Sequence, residues 1–173
     1  MKKIDLTLFV LLICTMFSAN TMAQDSKIMA GAGLNFSTNI SNMGLSAKGV
    51  YLINDKWEAA AAFNYYFKSD YTNWTGIDLD AHHNFYAKDK LSVYALGGLN
   101  FTFWKVKYAY DYGFWGLGSS LEDNTTTGTE VGVNIGAGGR FAINNKIHLL
   151  GEARYTVGGF GFFTIGAGVL YHF

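Results

Sequence analysis

Gly161-Phe162-Phe163-Thr164-Ile165-Gly166-Ala167-Gly168-Val169-Leu170-Tyr171-His172-Phe173 divides its residues between two chemically different tracks. Phe163, Ile165, Ala167, Val169, Tyr171 and Phe173 form an apolar track, interleaved with Thr164, Gly166, Gly168, Leu170 and His172, which is the period-two pattern of a β-strand. No helix is in evidence to cover that apolar face. A strand that is greasy on one side and carries mostly small or polar groups on the other has the form of a barrel wall.

The opposite end agrees. Lys2 and Lys3 give a positive start, residues 6–17 an apolar core, and Thr21-Met22-Ala23 a small-residue cleavage site ahead of Gln24. These are the three parts of a secretory signal peptide, expected over residues 1–23, with the mature domain over 24–173. Cys14 follows Leu11-Leu12-Ile13, but a lipoprotein's acylated cysteine follows a small residue and Ile13 is bulky. It is the only cysteine and leaves with the signal, so disulfides, thiolate metal sites and thiol nucleophiles are excluded from the mature chain. The 13 basic and 13 acidic residues balance and form no basic run, leaving nucleic-acid binding without an electrostatic basis.

After the signal no apolar run approaches the roughly 20 residues of a spanning helix. Yet 50% of the chain is hydrophobic and 17% aromatic, so strands must carry that apolarity. Proline is absent and glycine numbers 21, as suits a wall whose backbone N–H groups all enter a ladder around a narrow interior.

A polar turn recurs at Ile53-Asn54-Asp55-Lys56-Trp57, Ala87-Lys88-Asp89-Lys90-Leu91 and Ile143-Asn144-Asn145-Lys146-Ile147. Longer excursions at 39–43, 68–75, 105–128 and 158–160 alternate with these short turns, as extracellular loops alternate with periplasmic turns. Strands are expected at 27–38, 44–53, 57–67, 76–86, 91–104, 129–143, 147–157 and 161–173. The fold class is therefore all-β, an eight-stranded antiparallel up-and-down transmembrane barrel, with both termini on the periplasmic side. Internal echoes support this: Gly31-Ala32-Gly33-Leu34-Asn35-Phe36 matches Gly97-Gly98-Leu99-Asn100-Phe101, and Ile135-Gly136-Ala137-Gly138 matches Ile165-Gly166-Ala167-Gly168. A soluble sandwich is the competing architecture.

One track, including Leu34, Leu45, Phe63, Leu79, Leu99, Ile135 and Leu149, is assigned to lipid. Tyr51, Trp57, Phe141, Tyr171 and Phe173 gather at its lower end and Phe36, Phe67, Phe101 and Phe163 at its upper end, as two interfacial girdles. The other track carries Asn35, Lys48, Glu58, Asn64, Asp78, Asp80, His82, Asn84, Asn100, Glu130, Asn134, Arg140, Glu152 and Arg154 and is assigned to the lumen. Eight strands enclose room only for side chains. Because buried charge is costly unless paired, Glu58, Glu130 and Glu152 are expected to meet Lys48, Arg140 and Arg154 in an internal network of unspecified pairing.

His83 breaks the alternation by falling on the lipid track. A bulge or a neutral interfacial histidine accounts for it better than a catalytic base, since no hydroxyl nucleophile lies in outward register. The Gly-x-Gly pairs share the inward parity and open no helix, so they read as small lumen residues and not as phosphate cradles. His82, His83, His148 and His172 show no metal-ligand spacing, so no metal or cofactor is expected. The 105–128 excursion carries Tyr108, Tyr110, Tyr112, Phe114 and Trp115 and is the candidate partner surface, either as a hairpin presented to a partner or as a cap packed on Trp74 from the preceding loop.

The chain resembles the small outer-membrane barrels, the group that includes outer membrane protein X and the membrane domain of outer membrane protein A. The resemblance covers residues 24–173 and rests most specifically on Gly168-Val169-Leu170-Tyr171-His172-Phe173, which fits the family's C-terminal assembly signal, although Gly166 stands where a polar residue is usual. It implies recognition by the barrel assembly machinery through Gly168, Tyr171 and Phe173, residence among outer-membrane lipid including lipopolysaccharide, and loops active in adhesion, envelope integrity or small-solute passage. The leading functional reading is a non-enzymatic outer-membrane protein with a side-chain-filled lumen that contributes to envelope structure and presents extracellular loops for surface interaction or adhesion. A narrow pore is the alternative. A lipid-modifying enzyme is the third, although the serine such barrels place beside histidine is missing from His82-His83-Asn84-Phe85.

Overall fold

The computed structural model describes residues 27–69, 72–109 and 123–173. Eight strands follow in chain order: β1 (Ile28–Ser37), β2 (Asn42–Leu52), β3 (Trp57–Ser69), β4 (Thr72–Lys88), β5 (Leu91–Ala109), β6 (Asp123–Ala142), β7 (Ile147–Val157) and β8 (Phe162–His172). Each pairs antiparallel with its sequence neighbour, and β1 pairs with β8, closing the barrel. The β1–β8 seam sets Gly33 opposite Gly168 and Asn35 opposite Gly166. A closed ladder leaves no backbone group facing hydrocarbon unpaired, which is the condition for a sheet to cross a bilayer.

Two of the three repeated turns share one device. Asn54 Oδ1 accepts from the backbone N–H of Lys56 and Trp57 at 2.9 Å each, and Asn144 Oδ1 accepts from those of Lys146 and Ile147 at 2.9 and 2.8 Å. The asparagine amide thus supplies the acceptor that closes the turn. Between β4 and β5 the hairpin is tighter, and Asp89 takes a φ of 53°, which a short polar side chain tolerates.

Exposure is inverted relative to a water-soluble sandwich. Leu34, Leu45, Phe63, Leu79, Leu99, Ile135, Leu149 and Ile165 are each roughly half exposed, whereas Asp78, Asn64, His82 and Asn134 are wholly buried. Apolar wall outside and polar filling inside is stable where the outer solvent is lipid.

The strands differ from the sequence expectation above the barrel. The excursions read at 68–75 and 105–128 continue the ladder at their described ends: β4 begins at Thr72, β5 runs to Ala109 and β6 begins at Asp123, with Lys105 opposite Thr127 and Lys107 opposite Thr125. The run Thr125, Thr126 and Thr127 reads as a polar loop by composition, but β-branched threonine suits a strand when a partner strand lies beside it. Trp74 is likewise a strand residue of β4 and not part of a loop.

Candidate functional site

Inward-facing side chains form stacked tiers. Nearest the short turns, Met29, Val50, Ala60 and Leu170 pack with Leu52 and Leu150. Above them lies a charged tier. Lys48 pairs with Glu152, and Arg140 pairs with Glu58. Tyr94 Oη donates to Glu152 at 2.6 Å, and the Asn84 amide donates to Glu58 at 2.8 Å. His82 lies between the two acids, with Nδ1 3.4 Å from Glu58 and Nε2 4.0 Å from Glu152, and stacks on the Tyr94 ring at 4.4 Å. Arg140 also sits over that ring, 5.2 Å from its centroid.

The next tier centres on Asp78. Its carboxylate accepts from Arg154 at 2.5 Å, Asn64 at 2.6 Å, Asn100 at 2.7 Å and Asn134 at 2.9 Å. Four donors occupy about four lone-pair sites, which offsets the cost of removing the charge from water. The network spreads outward: Asn64 accepts from Asn35 at 2.6 Å, and Asn134 accepts from Thr156 at 2.7 Å while donating to Asp80 at 3.0 Å. At the top, Tyr66, Trp74 and Phe162 are buried together, and Phe160 packs against Trp74 and Trp104 with ring centroids 5.9 and 6.3 Å apart. This aromatic lid covers the polar filling.

A cavity of about 20 Å³, lined by Lys48, Glu152, Arg154 and the β8 glycines, interrupts the filling and has room for about one water. Glycine makes the tiers possible where space is tightest. A Cβ on Gly138 would lie 2.5 Å from the Tyr94 ring, and one on Gly166 would lie 2.5 Å from the Asn35 amide oxygen.

Of the expected network, Lys48, Glu152, Glu58 and Arg140 are brought together as two pairs, and Arg154 also points inward. Two assignments are corrected. Arg154 takes Asp78 as its acid, and Glu130 makes no ion pair among the described residues. The reason is height: Glu130 is opposite Thr102, above the tier of Asn100 and Asp78, whereas Arg154 is opposite Gly136 deeper in the barrel. Inward parity on β4 was the available signal for Asp78, and on β5 for Tyr94.

His83 faces outward, with its ring against Trp57 at 4.7 Å, and the register slips immediately afterwards between Asn84 and Tyr86. An interfacial aromatic and an adjacent bulge thus both accompany it. Tyr108 lies on β5; Tyr110, Tyr112, Phe114 and Trp115 fall outside the described residues, as does the segment 1–23. Among the described residues no three histidine, cysteine or acidic side chains converge as metal ligands. The arrangement therefore offers sealed filling in the lumen and an accessible hairpin above it.

The β5–β6 hairpin supplies that accessible feature. β6 pairs with β7 only from Val133 onward, so, among the described residues, 123–132 have β5 alone as a ladder neighbour. Thr75, Phe103 and Thr129 align across its outer face, one row above Ile77, Phe101 and Val131.

Among solved structures, the chain is similar to the N-terminal β-barrel domain of Pseudomonas aeruginosa OprF (17% identity, TM-score 0.66, covering 87% of this chain and 100% of that one). It is also similar to Neisserial surface protein A (20%, 0.59, 86% and 98%) and to Ail, the attachment invasion locus protein of Yersinia pestis (16%, 0.57, 84% and 96%). At these identities the likeness concerns the fold. No curated protein sequence matches the chain. The sequence model of the outer membrane protein β-barrel domain, however, matches residues 9–173. With a closed eight-stranded wall, lipid-facing apolar side chains and a polar lumen already in place, the chain belongs to the outer membrane protein β-barrel domain family.

Proposed function

We infer that this is a non-enzymatic outer-membrane protein, delivered by cleavage of residues 1–23, whose filled barrel anchors a surface hairpin that meets an extracellular partner. The observation that carries this reading is that, among the described residues, β6 residues 123–132 pair with β5 alone, in a barrel whose wall is otherwise closed. An exposed strand edge offers main-chain hydrogen bonds to an added strand. The sequence between β5 and β6 carries Tyr110, Tyr112, Phe114 and Trp115, aromatic residue types in which partner surfaces are enriched. A name such as attachment invasion locus protein, borne by a similarly folded protein, is compatible with adhesion. His83 packing on Trp57 favours an anchoring role for that histidine over lipid chemistry. Assembly through Gly168, Tyr171 and Phe173 is part of the same proposal.

The test replaces residues 107–124 with a two-residue turn and compares adhesion of cells displaying the full and shortened chains to protein-coated and sulfated-glycan-coated surfaces. Adhesion lost with the hairpin, at equal surface amount, supports the reading. Equal adhesion removes the hairpin from it. N-terminal sequencing of the outer-membrane form should begin at Gln24.

A further inference from the structure

His148 and His172 share no sequence spacing that suggests a joint role, but the barrel brings them together. His148 is the second residue of β7, and His172 is the last residue of β8. The register sets His148 opposite Leu170, so His172 is its diagonal neighbour with the same inward parity. Their ring centroids are 6.1 Å apart at 62°. Both are partly exposed at the mouth beside the 143–146 turn, just beyond Leu150 and Leu170. His148 Nε2 is nevertheless buried and makes no hydrogen bond among the described residues, an orphan that calls for a partner. Met29, directly across the seam from His172, turns its Sδ toward Arg140 at 3.6 Å, so the thioether is committed elsewhere.

We propose that His148 and His172 chelate a divalent transition ion, copper(II) foremost, at the periplasmic mouth of the barrel, with water completing its coordination. Diagonal cross-strand neighbours lie within reach of long side chains. A common ion would sit about 2.0–2.1 Å from one nitrogen of each ring. Imidazole selects copper, nickel and zinc over magnesium and calcium, which demand oxygen ligands, and the divalent series gives copper the highest affinity. The other histidines stand apart. His82 is enclosed between Glu58 and Glu152, and His83 is on the outer face against Trp57.

The full chain, folded in phospholipid vesicles without an affinity tag, is titrated with copper(II) and followed by calorimetry and electron paramagnetic resonance. One ion per chain with a two-nitrogen signature is expected. His148→Gln and His172→Gln should each weaken binding at least tenfold and leave a single nitrogen, while both retain the heat-modifiable gel mobility of a folded barrel. A measurement that needs no variant is paramagnetic broadening of the wild-type amide spectrum by substoichiometric copper, which should begin at the start of β7 and the end of β8. Failure of the wild type to take up one equivalent, broadening centred on residues 82–83, or unchanged affinity in the double variant would overturn the proposal.

Discussion

Asp78 shows how a single side chain organises the lumen. It is 1% exposed and holds Arg154 with three asparagine amides, so removing the cation strands a carboxylate in a low-dielectric interior. Arg154→Met should lower stability by about 3–5 kcal/mol, read from equilibrium urea unfolding in vesicles. Adding Asp78→Asn to that variant should recover part of the loss, because the stranded charge is then gone; additive losses would place the stabilisation elsewhere than in the pair. Gly138 is the steric counterpart. A side chain there enters the space of the Tyr94 ring, so Gly138→Val should cost about 1–3 kcal/mol in the same measurement. Parity along β4 and β6 was enough to place both residues inward. The choice of Asp78 over Glu130 for Arg154 was not legible, because parity states the side of the wall and not the height along it.

Strands carry the next level of organisation. Outward residues meet lipid according to depth, and a charge costs most at mid-height. Ile135→Arg, in the apolar row of β6, should cost about 2–4 kcal/mol, whereas His83→Arg beside the interfacial Trp57 should cost about 0–1 kcal/mol. Unfolding of both variants in the same lipid checks the difference, and equal losses would contradict an interfacial place for His83. The short turns were legible because Asn54 and Asn144 act locally on the next few N–H groups. The upper strand ends were not. Thr125 to Thr127 has loop-like polarity, and only pairing with residues 105–107 of β5 makes it a strand.

For the whole molecule, the decisive property is the sequence of tiers from apolar collar through ion pairs and asparagine network to aromatic lid. A path for solute would have to cross all of them, and the cavity beside Lys48, Glu152 and Arg154 has room for about one water. Reconstituted in planar bilayers, the barrel should show no steady single-channel current. Regular open events in the wild type would support the pore reading instead. The same tiers separate anchoring from surface interaction: shortening the β5–β6 hairpin above Thr72 leaves every inward ion pair in place. Its thermal unfolding should therefore stay close to that of the full chain.

The sequence by itself determined the wall. Period-two alternation, recurrent asparagine turns and the aromatic ending are local patterns, and each fixes which way its own side chains face once a strand forms. Eight such segments without an apolar helix admit closure as the way to leave no edge in lipid. Tertiary structure alone decided which residues meet across the lumen: Arg154 with Asp78, His82 between two acids, and His148 beside His172. Those meetings depend on register summed around the closed ring, and strand tilt and stagger set the height at which each inward side chain arrives.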